Sequence, residues 1–284
     1  MSDAALPTEA PPGPTISIRP PGKWSSLRLG DLWEYRELLY FLTKRELQIR
    51  YKQSVFGISW AVLQPVVLAF IFALFFGLLA KVKSDSGPYP VFAMAGLVPW
   101  LFVAQSVAQS ATSLVGDANL LTKIYFPRMV LPLGRVLALG IDLLVAIGVL
   151  FVVALIYGVT PSAAVALLPV FLLLAFVTAA GAGVLLSAVN VQYRDVTVVV
   201  PLAIQVWLFA TPVIYASSLV SGNWQYLYAI NPMVSVINGF RWALVDGPAP
   251  SIGTVAVSWA SALALLVAGL VYFRRTEQFF ADVI

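Results

Sequence analysis

Apolar residues run along this chain in five blocks that carry no formal charge: 53–80, 86–116, 143–193, 196–240 and 247–273. Each exceeds the roughly 20 residues that a helix needs to cross a ~30 Å hydrocarbon layer. Turn residues divide the longer blocks. Gly158-Val-Thr-Pro-Ser162 splits the third, while Pro212, Gly222, Asn231-Pro232 and Gly239 interrupt the fourth. The pattern predicts an all-α integral membrane protein with six transmembrane helices, at about 58–80, 91–115, 133–157, 163–188, 196–215 and 251–273. Residues 219–245 read as short re-entrant or interfacial helices on the outer side, because another full crossing would strand Arg274 and Arg275 outside.

Three local signals refine this picture. Gln64-Pro65 predicts a kink in the first span. Pro99-Trp100 is placed near the outer end of the second, with the indole in the headgroup zone. The small-residue run Ala179-Ala-Gly-Ala-Gly183 predicts close helix approach in the fourth. Ahead of the spans, 31–56 forms an amphipathic segment. Its helix is opened by Asp31, with Leu32, Tyr35, Leu39 and Leu42 at helical spacing and Glu34, Glu37, Lys44 and Arg45 elsewhere. Such a helix lies in the membrane surface; the alternative is a soluble helix packed on another domain. Residues 1–30 are proline-rich and lack an apolar core with a cleavage site, so they read as a disordered cytoplasmic tail, and 57–284 as one transmembrane domain.

Composition agrees: 60% of residues are hydrophobic and 11% charged, which rules out an ordinary water-soluble domain. The net charge of +4 does not point to nucleic acid, because the basic residues flank the spans. Fourteen Lys and Arg fall on one side of the predicted topology, against Lys81, Lys83 and Arg241 on the other. That asymmetry places both termini in the cytoplasm. With neither Cys nor His in the chain, disulfides, thiolate chemistry, imidazole bases and the usual zinc ligands are unavailable, and no metal site is expected. No phosphate-binding loop is present either.

Asp142 is the one carboxylate well inside a predicted span, which makes it a functional candidate. Two readings stay open: a proton relay, or a packing pair with Arg135 two helical turns before it. Trp100, Trp207, Tyr215, Trp224, Tyr226, Tyr228 and Trp242 gather toward the outer half, either as platforms for sugar rings or as an interfacial belt.

Several ordered blocks carry a family likeness. Arg45-Glu-Leu-Gln-Ile-Arg50-Tyr-Lys52-Gln-Ser-Val-Phe-Gly57 is followed by Trp60 and Gln64-Pro65. AGLVPWLF at 95–102, NLLTKIYFPRMVLP at 119–132, SAVNVQYRDV at 187–196 and YAINPMVSVINGFRWAL at 228–244 come after it. Together they resemble the type 2 ABC exporter permeases that move polysaccharides, in particular those for lipid-linked O-antigen and teichoic acid. The resemblance implies a homodimer in the bacterial inner (plasma) membrane, paired with a cytoplasmic ATPase dimer that binds ATP and Mg, so this chain needs no cofactor of its own.

By the same resemblance, the ATPase-coupling residues are Arg45, Arg50, Lys52, Asn119, Lys123, Tyr125, Phe126, Arg128, Tyr193, Arg194 and Asp195. The aromatic tips of Tyr125, Phe126 and Tyr193 would be buried in the ATPase. Phe72, Phe76, Trp207 and Tyr215 line a channel between protomers, and Trp224, Tyr228, Asn231, Pro232 and Arg241 belong to an outer gate. The implied function is translocation of a lipid-linked polysaccharide. Alternatives are an ABC exporter for another lipid or drug-like substrate, a membrane-embedded glycan transferase, and an ion-coupled transporter. The last two call for more intramembrane ionisable groups than Arg135 and Asp142 supply.

Overall fold

The computed structural model describes residues 33–52, 59–82, 84–85, 87–123, 126–160 and 162–280. Regular structure among them is helical throughout. The N-terminal tail, the segment 53–58 and Tyr125 lie outside the described residues.

Helix α1 (Arg36–Tyr51) ends where Lys52 turns extended. Helix α2 (Ser59–Phe72) runs through Pro65 and passes into a π-helical stretch, Ala73–Leu79. Pro88 and Pro90 start α3 (Tyr89–Ala111), since a proline in the first turn gives up no helical hydrogen bond. Two short helices, α4 (Ser113–Gly116) and α5 (Ala118–Lys123), lead to α6 (Val130–Ile156). Gly158 turns the chain with a positive φ, and a 3-10 turn capped by Ser162 opens α7 (Leu168–Gln192). Then follow α8 (Val196–Phe209), α9 (Trp224–Tyr228), α10 (Pro232–Val245) and α11 (Ile252–Thr276).

Among the described residues, five helical stretches are long and apolar enough to cross a membrane: Val62–Leu79, Tyr89–Ala111, Val130–Ile156, Ala163–Gln192 and Ile252–Thr276. The fifth predicted span is shorter than expected. Helix α8 has 14 residues, about 21 Å of rise. It ends because Pro212 disfavours helical geometry at Thr211 and because Asn231 captures the Ala210 carbonyl at 3.2 Å.

Helix α3 sits at the centre, buried on all sides, with Phe92, Met94, Leu97 and Val103 enclosed. Helices α2, α6, α7 and α10 surround it. This overturns the expectation for Pro99-Trp100. The helix begins at Tyr89, so the pair falls at mid-span, and the Trp100 ring is 3% exposed with its edge on Trp207 at 5.4 Å. It is a core residue and not an interfacial anchor. Helix α1 packs on α6 through buried Leu42, with Tyr35, Leu38 and Leu39 beside it.

The small-residue run behaves as predicted. A Cβ on Gly181 would stand 2.8 Å from the Leu266 nitrogen of α11, and one on Gly269 would stand 2.7 Å from the Gly181 carbonyl. These backbones touch because neither side has a side chain to separate them. Gly181→Leu is therefore expected to yield little monodisperse protein on size-exclusion chromatography. Gly148→Leu, where a Cβ meets nothing within 4 Å, should behave as the parent does.

Candidate functional site

The C-terminal end of α8 is tied to α10 by a polar cluster. Asn231 caps α10, accepting from the Met233 N–H at 3.1 Å, and Pro232 follows at the first helical position. The same Asn231 Oδ1 accepts from Trp207 Nε1 at 3.0 Å, while Nδ2 donates to Thr211 Oγ1 at 2.8 Å. Tyr215 shares a 2.6 Å hydrogen bond with Tyr228 and donates to the Phe209 carbonyl at 3.0 Å. Burial first, and then the bond to Tyr215, pushes the Tyr228 hydroxyl upward. Two predicted channel residues, Trp207 and Tyr215, thus meet two predicted gate residues, Tyr228 and Asn231. Thr211, which joins them, carried no signal of its own.

Arg241 is enclosed behind this cluster. Its guanidinium donates to the Val213 carbonyl at 2.9 Å and the Tyr215 carbonyl at 3.2 Å and lies 3.6 Å from the Phe92 ring centroid. A buried cation needs such partners. It therefore fixes the loop after α8 instead of facing solvent. Trp224, by contrast, is exposed. Phe72 at the end of α2 and Phe76 in the π-helical stretch meet edge to face at 5.6 Å, both packed against the core.

At the opposite end, ion pairs fasten α1 to the bundle. The Arg135–Asp142 pair weighed from spacing is not formed. Asp142 takes both the Arg50 guanidinium and the Tyr51 hydroxyl of α1, and Arg50 also donates to Gln109 Oε1 at 2.7 Å. Burial, together with the bond to Asp142, pushes the Tyr51 hydroxyl up to about 12, so it stays a donor at neutral pH. Arg135 turns instead to Asp117 at 2.9 Å and Glu46 at 3.8 Å, and Arg45 reaches Asp117 from α1 at 3.1 Å. The charges on α1 select different partners because that helix lies along α6, an arrangement that spacing within α6 does not reveal.

This pairing revises the coupling set: Arg45 and Arg50 are engaged within the chain. Phe126 is buried in the chain's own second core cluster, with Met129 and Phe273, and is no free tip. Arg128 holds the end of α11, donating from its side chain to the Glu277 carbonyl at 2.7 Å, with Phe280 under its guanidinium. Lys52, Asn119, Tyr193, Arg194 and Asp195 are exposed. Lys123 ends α5.

Comparison with known proteins decides the family. The model of a family described as "ABC-2 type transporter" matches residues 37–245, from α1 to the end of α10. The chain belongs to the ABC-2 type transporter family. It is 30% identical over 249 residues to an O-antigen export system permease protein RfbA of Klebsiella pneumoniae, covering 87% of this chain and 95% of that protein. A Myxococcus xanthus protein of the same name is 30% identical over 252 residues, covering 88% and 96%. The polysialic acid transport protein KpsM of Escherichia coli is 23% identical over 243 residues, covering 82% and 91%. In this ABC-2 transporter the family match spans both polar sites, the α8–α10 cluster and the α1 latch.

Proposed function

We propose that this ABC-2 transporter is the permease subunit of an ATP-driven exporter that carries a lipid-linked polysaccharide, such as O-antigen, from the cytoplasmic face of the bacterial inner membrane to the outer face. The observation that carries this reading is similarity to O-antigen export permeases along nearly their whole length. Two copies form the path, a separate ATPase dimer supplies the energy, and this chain acts as a transporter subunit and not as an enzyme. The α8–α10 cluster suits an outer gate, since it binds a short apolar helix to a re-entrant one through side chains that can exchange hydrogen bonds with a glycan. The exposed turn at Tyr193, Arg194 and Asp195, together with Lys52 and Asn119, suits the ATPase contact. Surrounding membrane lipid covers the outward apolar faces.

Deletion of the gene tests the reading: surface polysaccharide should disappear while its lipid-linked form accumulates inside, and unchanged surface polysaccharide would overturn it. Six crossings with both termini inside make a second expectation. The chain has no cysteine, so single replacements report cleanly. Asp195→Cys should react with an impermeant maleimide only from the cytoplasm, and Trp224→Cys only from the outside.

A further inference from the structure

Next to the α1 latch lies a half-open cavity of about 190 Å³, lined by α1, α2, α3 and α6. Its polar lining comes from Arg50, Tyr51, Gln64, Gln105 and Asp142, and Trp60 stands on its wall. Arg50 is paired with Asp142 and also donates to Gln109, so the cavity carries no net charge. Gln105 Nε2 donates to Gln64 Oε1 at 2.9 Å, which leaves the Gln105 carbonyl and the Gln64 amide hydrogens for a guest. Each Asp142 oxygen accepts one bond from the chain and keeps a second lone pair.

A paired carboxylate, two side-chain amides and an indole wall form a surface that offers both donors and acceptors without net charge. A phosphate drawn to the remaining N–H groups of Arg50 would lie against the Asp142 carboxylate, and the two anions repel each other. A neutral hydroxylated ring meets no such repulsion. Its hydroxyls find the amides and Asp142, its C–H face finds the half-exposed Trp60, and the open side of the cavity leaves the rest of a glycan outside. The ion pair also gains a reason: buried charge pairs add little stability and mark function when they lie within a membrane domain.

Resting on the export reading above, we infer that this cavity is a recognition subsite for one uncharged pyranose ring of the transported glycan. The subsite selects cargo between α1 and the middle of α3, where Val98, Leu101 and Phe102 line it.

The test uses the full chain purified into lipid nanodiscs. The probes are the oligosaccharide repeat unit released from the host's own surface polysaccharide and, separately, inorganic pyrophosphate and farnesyl diphosphate. Binding is read by saturation-transfer NMR and calorimetry. The repeat unit should bind, Gln105→Leu and Trp60→Ala should each weaken it by about tenfold or more, and pyrophosphate should not compete. Neither variant touches the Arg50–Asp142 pair, and unchanged thermal stability confirms that each is folded. Absence of repeat-unit binding, equal affinity in the variants, or displacement by either diphosphate would overturn the inference; the last would mark a site for the lipid carrier's phosphates. In cells, wild-type export by Gln105→Leu sinks the subsite and leaves the exporter reading standing, whereas normal surface polysaccharide without the gene sinks both.

Discussion

Replacing Asp117 by Leu should lower the thermal stability of the purified permease sharply and reduce its amount in the membrane. Asp117 is 8% exposed and bridges Arg45 at 3.1 Å and Arg135 at 2.9 Å. Removing it leaves Arg135, itself mostly buried, with two long contacts, to Glu46 at 3.8 Å and to the Gln109 carbonyl at 3.4 Å. Stranding one partner of a buried pair costs about 3–5 kcal/mol. Nearly all of that comes through Arg135, because Arg45 is more than a third exposed and water screens it. Arg135→Leu should cost less once Asp117 is already Leu, since the cation that suffers is then gone. Asp195→Leu, at an exposed carboxylate, should leave the melting temperature where it was. A parent-like melt for Asp117→Leu would show that the latch does not hold α1 in place.

The second large effect falls on transport and not on folding. Asn231→Leu removes the cap of α10, worth about 1 kcal/mol, and strands the part-buried Trp207 indole N–H. An unsatisfied buried polar group costs about 1–3 kcal/mol, so the link between α8 and α10 should break. Helix α10 itself should persist, because it is buried against α3, α7 and α11. The expected result is normal membrane content by immunoblot with surface polysaccharide reduced by about tenfold or more. Thr211→Val, which removes only one of the four bonds made by Asn231, should lie between the two. Parent levels of export in Asn231→Leu would dissociate this cluster from the gate.

The contrast between the two variants follows what was readable in the chain. Long uncharged blocks made the spans visible, and the run at 179–183 foretold the backbone contact between α7 and α11, because both depend on residue types at near neighbours. Asn231-Pro232 announced a helix start for the same local reason. Depth was harder to read. Trp100 looked interfacial until the helix proved to begin at Tyr89 and the ring proved to rest on Trp207. Long-range pairing was not legible at all. The partners of Asp142 lie 91 and 92 residues away on α1, and nothing in the spacing of α6 distinguishes them from Arg135. Arg45, Arg50, Phe126 and Arg128 look like free cytoplasmic handles in sequence, yet the fold uses each of them internally.

These internal uses change how a coupling experiment should be designed. Arg128→Glu looks like a direct test of ATPase contact in sequence alone. In the structure it would also set two carboxylates against each other at Glu277 and loosen the end of α11. Substitutions at the exposed turn, Tyr193→Ala and Arg194→Glu, avoid that fault and should reduce ATPase co-purification without lowering thermal stability.

Reconstitution tests the central claim most directly. The purified chain, the ATPase that co-purifies with it and the host's lipid-linked glycan are placed in liposomes, and movement of the glycan across the bilayer is followed with a lectin confined to one side. The account predicts translocation only when both proteins and hydrolysable ATP are present. Translocation by this chain alone, or none with the complete system, would contradict it.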